Sequence, residues 1–481
     1  MNRIAKDIDN ITCGFLIFNS EKDMVLLIRR PSDVIFPNTY SIPGGRIKQN
    51  ESIESAALRE LYEETHTKVN QYVYLKSYFY DSVCLFVFTA ICDDLKEKMI
   101  PIEDLDGINL APNIGTAIKD AQDYYNNYYI DTNLNINNVI EDIIYNVANN
   151  RIVINDKIGY DHFLCQQRIG TLGSAVGLNI LSKSSNYYEL KKEILHTLLE
   201  TQLPDGGWGI KSHDNRESIL ESTCYALQAI NLFEEAKEAK TTAIKWIYEN
   251  RLEDYSWGAN ITASKGKVTS TCLAITTLCM VGEKGNINES IQWLIDAQNT
   301  DGGWAFDKSI KKSNVTATSL AIIALYYMLD DKNDIIKRAI SWLSEKLNGS
   351  DIREESEVSY IDEKRFEYKH STIIYALSAI ICCSGTKAIK PPKLLHYISE
   401  ILTKRNENGF WEHESTPGFF PIWHTYNILK FLLILVDRCG VINFSFFKLL
   451  YEHYRFQIDF IDSLKRNLIY STSHPEQTII Y

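Results

Sequence analysis

Between Gly44 and Thr65 the chain reads GGRIKQNESIESAALRELYEET, with five glutamates in this one stretch. Glu60, Glu63 and Glu64 fall at i, i+3 and i+4, so on a helix three carboxylates share one face. Charges so placed repel one another unless a cation stands among them. Hard oxygen donors in a cluster, with no sulfur or imidazole beside them, suit Mg2+ or Mn2+. An ion of that kind bridges phosphate oxygens and lowers the pKa of an attacking water. The chemistry expected of these residues is metal-assisted attack on a phosphate.

The wider spacing is more specific than the helix face. Gly45 is followed after five residues by Glu51, after seven more by Arg59-Glu60-Leu61, and then by Glu63-Glu64. This resembles the Nudix box, G-x5-E-x7-R-E-U-x-E-E-x-G-U, and departs from it where His66 and Thr67 replace the usual glycine and aliphatic residue. That glycine ends the helix in a left-handed conformation, which His tolerates better than most residues. The flanking TYSIPGG and IPIEDLDGINLAPN agree with the family. The resemblance implies an α/β Nudix fold, a mixed sheet in an α/β/α sandwich. It makes Glu60 the leading metal ligand or base, with Glu63, Glu64 and the Gly45 carbonyl also holding the metal. Arg59 would orient a glutamate, and Gly44 and Glu51 would lie at the substrate.

The elements that must position these groups alternate strand-like runs, ITCGFLIF, MVLLIRR, YVYLKSYFY and VCLFVFTAIC, with one amphipathic helix. They define a first domain over residues 1–130. A Tyr/Asn-rich stretch follows as a junction over 131–150, and a second region, with C-terminal helices, runs over 151–481.

That second region repeats itself. SAVGLNIL, TCYALQAI, TCLAITTL, TSLAIIAL, TIIYALSA and TYNILKFL begin at Ser174, Thr223, Thr271, Thr318, Thr372 and Thr425, spaced 49, 48, 47, 54 and 53 apart. Amphipathic helices carrying Trp246, Trp293 and Trp342 lie between them. Such a period predicts stacked helical hairpins, the apolar helices as an inner ring and the amphipathic ones outside. QLPDGGW (Gln202–Trp208) and QNTDGGW (Gln298–Trp304) resemble the QW motif of squalene-hopene and oxidosqualene cyclases, with weaker copies at Arg251–Trp257 and Arg405–Trp411. The resemblance implies an all-α (α/α)6 toroid of the terpene cyclase and protein prenyltransferase superfamily. The Asp and two glycines of each motif read as a tight turn under a packed Trp.

The motif identifies a fold, so a reaction must be sought where the inner helices begin. Protonating cyclases place acids just before the threonine that opens an inner helix, because protonating an alkene needs a strong carboxylic acid. The residues before Thr318 are Asn314, Val315, Thr316 and Ala317; only repeat 2 offers an acid, Glu221. Glu221 is the candidate toroid acid, with a helix cap as the other reading. Tyr225, Tyr326, Tyr375, Trp423 and Tyr426 are candidates to line the bore, where aromatic faces stabilise cations. The zinc triad of protein prenyltransferases is broken: His424 is present, but the matching positions are Lys369 and Ser371. Glu367, His370 and His424 remain as a different candidate metal set.

The formal net charge of −12 divides evenly between residues 1–130 and the rest. Neither part has a basic surplus, which disfavours nucleic acid and anionic membranes as partners. No apolar run approaches the ~20 residues of a membrane span, and the N-terminal stretch does not resemble a signal peptide. The ten cysteines show no metal spacing and read as reduced thiols. The expectation is a soluble, cytoplasmic enzyme: a Mg2+-dependent Nudix diphosphatase joined to an isoprenoid-binding, terpene-cyclising toroid, acting on a prenyl or terpenyl diphosphate. Two alternatives stay open. One is a nucleotide or nucleotide-sugar hydrolase with the toroid as a binding or regulatory module; the other is a terpene synthase with a scaffold Nudix domain. Homo-oligomerisation is open in each.

Overall fold

The computed structural model describes residues 11–473 apart from 35, 49–50, 81–82, 128–134, 211–216, 261, 331, 350–351, 362–363, 407, 415 and 442. The chain divides into two compact units, one of residues 1–132 and 445–481 and the other of residues 133–444.

In the first unit the chain forms β1 (Ile11–Phe18), β2 (Met24–Leu26), β3 (Ile28–Arg29), β4 (Tyr40–Ser41), β5 (Gly44–Arg46), α1 (Ile53–Thr65), β6 (Val73–Tyr80), β7 (Val83–Ile91), β8 (Met99–Pro101) and α2 (Ile114–Asn127). The main sheet has the order β6-β7-β1-β2-β8, with β5 also paired to β1. β1 and β7 run parallel and the other pairs antiparallel, so the sheet is mixed. β1 and β7 are almost continuously apolar because both are central strands of the sheet. Ala56, Ala57 and Leu61 of α1 join Cys13, Phe15 and Phe86 in one core, which fixes α1 beside β1 and β5. Ser52 caps the helix through Ser55 N–H, and His66 ends it in the left-handed conformation at φ 59°, its N–H on Tyr62 O.

The second unit opens with α3 (Ile136–Asn149), then β9 (Ile152–Ile154), β10 (Lys157–Gly159) and β11 (Phe163–Leu164). The paired helices follow: α4 (Thr171–Leu181), α5 (Tyr188–Glu200), α6 (Leu220–Ile230), α7 (Lys237–Glu249), α8 (Val268–Met280), α9 (Asn288–Asp296), α10 (Val315–Tyr326) and α11 (Asp334–Asn348). After a hairpin of β12 (Ser356–Ile361) and β13 (Lys364–Lys369) come α12 (Thr372–Ser384), α13 (Pro391–Thr403), β14 (Phe420–Pro421) and α14 (Ile422–Cys439). Packing runs α4–α6–α8–α10–α12–α14 and back to α4, a closed inner ring. Thr316 and Thr372 meet at 2.9 Å, and Gln228 donates to Thr277 at 2.7 Å. Each pair joins equivalent levels on neighbouring inner helices, so these helices run parallel.

Three parts of the expected division differ. Part of the stretch read as a junction is α3, which packs on α14 and α4 in the outer ring. Arg405 reaches Asp142 of α3 at 3.3 Å, just as Gln202 reaches Ala239 of α7 at 2.9 Å and Gln298 reaches Ile335 of α11 at 3.0 Å. A helix from before the first inner helix therefore completes the last hairpin. The second region is not wholly helical either, since β12–β13 is inserted where the repeat spacing lengthens.

The last helix, α15 (Ser445–Ser473), does not belong to the toroid but to the first unit. It lies on β6, an edge strand of the main sheet, whose open N–H groups need acceptors. Glu452 accepts Tyr74 N–H at 3.0 Å, Asp459 accepts Ser77 N–H at 2.9 Å, and Lys448 donates to Tyr72 O. Phe456 packs on Tyr74 with 5.6 Å between ring centroids. Periodicity marks the helix, but only this unmet edge decides where it docks.

Candidate functional site

The positive charge inside the glutamate cluster is supplied by the chain itself. Arg59 grips Glu51 through Nε at 2.8 Å and Nη2 at 2.9 Å, and through Nη1 reaches Glu60 at 2.6 Å and Glu63 at 3.1 Å. Its Nη2 also donates to Arg46 O at 3.1 Å, tying α1 to β5. These bonds hold the Glu51 carboxyl down to about 2 and push the Arg59 guanidinium further up. Glu63 shares a second cation, Lys48, at 3.6 Å.

The other half of the site is the Gly44–Gly45 turn. Gly44 N–H donates to Glu64 at 2.9 Å. A Cβ on Gly45 would lie 2.5 Å from the Glu60 carboxyl carbon, so the carboxylate rests directly on the bare backbone. Glu64 keeps an exposed side, yet partial burial of its carboxyl pushes the pKa up, opposed by the Gly44 N–H and reinforced by the Glu60 charge. Burial pushes the Cys13 thiol beneath to about 12, with Glu60 adding to the rise. Among the described residues, no three acidic, His or Cys groups form a preformed metal cage. A Mg2+ site does not need one, since this ion usually takes one or two carboxylates and completes its shell with water and substrate phosphate. Glu60, Glu64 and the Gly45 carbonyl fit that donor set: oxygen only, and gathered at the Gly44–Gly45 turn.

In the second unit the motif turns are structural ties. Asp205 accepts Gly207 N–H at 3.1 Å, Ser218 O–H at 2.7 Å and the Trp246 indole at 2.9 Å. Asp301 does the same with Gly303 at 3.0 Å, Ser313 at 2.7 Å and Trp342 at 3.1 Å, and Asp254 takes Trp293 at 2.8 Å. Each aspartate thus holds the next outer helix by its tryptophan. Gly206 and Gly302 have φ of 93° and 98°, the left-handed region that favours glycine.

Of the candidate bore residues, Tyr225 of α6 and Tyr426 of α14 meet at 6.4 Å between ring centroids. Those helices are the two neighbours of α4 in the ring, so the rings meet in front of α4. Tyr375 O–H accepts from Asn427 at 2.9 Å. Glu221, in the first turn of α6, has an exposed side chain. Burial pushes its pKa up, while His370 draws it down and Glu357 adds to the rise. Trp423 is committed elsewhere, donating to His162 Nε2 at 3.1 Å and packing on His413. Tyr326 stands at the end of α10 with Arg438 5.6 Å from its ring.

The three-residue metal set does not assemble. His370 pairs with Glu357 at 3.3 Å, His424 Nδ1 meets Ser371 Oγ at 2.6 Å, and Glu367 is exposed on β13. Burial holds His424 neutral, its pKa down at about 3.

The hairpin region adds acids that the sequence search passed over. Glu355 accepts Val315 N–H at 2.9 Å and Thr316 N–H at 2.7 Å, so a carboxylate does cap α10, delivered from 39 residues downstream rather than from the residues preceding Thr318. Glu354 caps α12 through Thr372 N–H at 2.5 Å, and burial raises its pKa to about 7. Glu357 accepts from Thr269 at 2.9 Å. The longer interval between Thr318 and Thr372 was the signal that something is inserted there.

Comparison with known proteins agrees with both units. The prenyltransferase α/α toroid domain model matches residues 174–436, more than half of the chain, and the chain belongs to that family. It also carries a NUDIX domain, matched over residues 10–109. No curated protein matches. Similar solved structures include NrtR of Shewanella oneidensis, 22% identical over 24% of this chain and 63% of that one with a TM-score of 0.22; the present chain therefore spans less than two thirds of that protein. A protein from Actinoplanes is 12% identical over 63% of this chain and all of that one, with a TM-score of 0.45. The type II terpene cyclase MstE from Scytonema is 12% identical over 63% of this chain and 99% of that one, with a TM-score of 0.42. Among the described residues no helix is long and apolar enough to cross a membrane.

Proposed function

We propose that the chain is a divalent-metal-dependent diphosphate hydrolase acting on a prenyl or terpenyl diphosphate, with an isoprenoid held by the toroid. The observation that carries this reading is the seating of Glu60 on Gly45 and of Glu64 on Gly44, in a chain whose other unit is a closed ring of helices. Glu60, Glu64 and the Gly45 carbonyl would hold Mg2+ or Mn2+, which when bound neutralises phosphate oxygens and makes its water more acidic. Arg59 keeps Glu51 ionised and holds the Glu60 carboxylate in place, so the donors are oriented before substrate arrives. Glu60 would be either a leading ligand of that ion or the base that takes the proton from an attacking water. In the toroid, burial favours the acid form of Glu221, and Tyr225 shares its electrostatic surroundings. A neutral carboxylic acid beside aromatic rings suits proton donation to an alkene, so cyclisation is part of the reading.

The test is incubation of the full chain with geranyl, farnesyl and geranylgeranyl diphosphates and Mg2+, with phosphate assay and mass spectrometry of the organic extract. Phosphate release lost in Glu60→Gln, and cyclic product lost in Glu221→Gln, are the expected results. Release from nucleotide diphosphates alone would overturn the choice of substrate.

A further inference from the structure

Four of the ten cysteines lie where inner helices end. Cys382 and Cys383 occupy the last turn of α12, Cys439 closes α14, and Cys279 lies in the last turn of α8. Cys382 is held differently from the others. The Cys383 thiol donates a hydrogen bond to its sulfur, and Arg438, in the last turn of α14, reaches the same sulfur with a second. α12 packs between α14 and α10 in the ring, and the Arg438 guanidinium also stands 5.6 Å from the Tyr326 ring centroid at the end of α10. One guanidinium thus touches three consecutive inner helices, with a sulfur as its hydrogen-bond acceptor.

A helix C-terminus carries partial negative charge and by itself disfavours a thiolate. Here the bond from Cys383, which outweighs burial, and the Arg438 cation draw the Cys382 thiol down to about 7. Burial pushes Cys92, Cys165 and Cys439 up instead, although each of them also reaches solvent. Cys165 is exposed, whereas Cys382 is half-buried. Exposure and ionisation therefore favour different cysteines.

We propose that Cys382 is a reversible S-thiolation site that takes one half of a small, carboxylate-bearing disulfide such as glutathione disulfide. The Cys382 thiolate attacks one sulfur of that disulfide. A new S–S bond forms on Cys382 as the old one breaks, and the electron pair of the broken bond leaves on the second sulfur as a thiolate. That thiolate takes a proton from water, and a free thiol reverses the exchange by the same path. Arg438 holds the attacking sulfur ionised and favours a disulfide carrying carboxylates over a cationic one. Cys383 serves as the hydrogen-bond donor and does not close a ring with Cys382. Bridged cysteines bring their Cβ atoms to about 3.5–4.5 Å, whereas successive side chains on a helix diverge by about 100°. Closure would unwind the last turn of α12. The site lies at the rim of the toroid and depends neither on what the bore holds nor on hydrolysis in the first unit.

The test treats the reduced full chain at neutral pH with excess glutathione disulfide, followed by intact mass and by fragmentation of the modified peptide. Cys382 should gain one glutathionyl group about tenfold faster than the more exposed Cys165. The rate should rise with pH through an inflection near 7. Arg438→Met should slow the reaction about tenfold and move the inflection up, while Arg438→Lys keeps most of the rate. Cys383→Ser should slow it severalfold and still give the adduct on Cys382. Arg438→Met should also lower severalfold the rate ratio of glutathione disulfide to the cationic disulfide cystamine. Labelling that follows exposure, with Cys165 first, overturns the site. So does a loss of two hydrogens without an adduct, the mark of a Cys382–Cys383 disulfide, and so does a rate indifferent to Arg438→Met. If Arg438→Met does not fold, the order of labelling in the wild type and its inflection decide.

Discussion

The Glu60 carboxylate occupies the space where a side chain on residue 45 would begin, with its carboxyl carbon 2.5 Å from that point. The obstacle is the end of a flexible side chain, so Gly45→Ala should leave the fold largely intact and displace Glu60. Gly44 differs, because a Cβ there would lie 2.3 Å from the Cys13 backbone oxygen on β1. We expect Gly45→Ala to cut phosphate release by about 10²-fold or more with little change in the urea midpoint, and Gly44→Ala to lower that midpoint clearly. The reverse pattern would refute the assignment of Glu60.

Asp459 accepts both Ser77 N–H at 2.9 Å and Tyr74 O–H at 2.8 Å, and is buried. Asp459→Ala orphans both donors, at a cost of about 1–3 kcal/mol for each buried group left unpaired. Chemical unfolding should show the loss in the transition of the first unit, with that of the toroid unchanged. A loss confined to the toroid would contradict the docking of α15.

The ring depends on the ties between turns and outer helices. Asp205→Ala removes the acceptor of Gly207, Ser218 and Trp246 together. It should destabilise the second unit by several kcal/mol, read as a lower melting temperature with the first unit unaffected. Glu249→Ala, an exposed outer-helix change, is the control and should be within about 0.5 kcal/mol of wild type.

His424 gives the toroid an acid limit. Its folded pKa of about 3 lies below the ordinary 6.5, so its contribution is complete above pH 6.5 and declines as pH falls toward 3. His413 and His162 are shifted the same way by burial. Between pH 6.5 and 5 the loss from His424 alone should be about 2 kcal/mol. Urea titrations of the toroid at pH 7.5 and 5 measure it, and His424→Asn should flatten the dependence.

Local pattern carried much of this description. The strand β1 is bounded as its apolar run predicts, α1 holds Glu60, Glu63 and Glu64, and the repeated threonines open or lie just inside the inner helices. These features depend on residues a few positions apart, whose side-chain period decides which face is buried. His66 at the left-handed end of α1 belongs with them, because one residue's backbone tolerance settles it.

What the chain did not disclose locally is long-range pairing. Neither α3 closing the ring nor α15 returning to β6 can be read from periodicity, since an amphipathic helix shows that it has a buried face but not which surface buries it. Glu355 reaches the start of α10 from a later segment. The sequence alone determined the two architectures and the spacing of the acidic cluster, because both are written in short intervals. Tertiary structure alone decided the partners, because unmet backbone groups, buried charges and free sheet edges are satisfied by whatever the fold brings near them, at any distance along the chain.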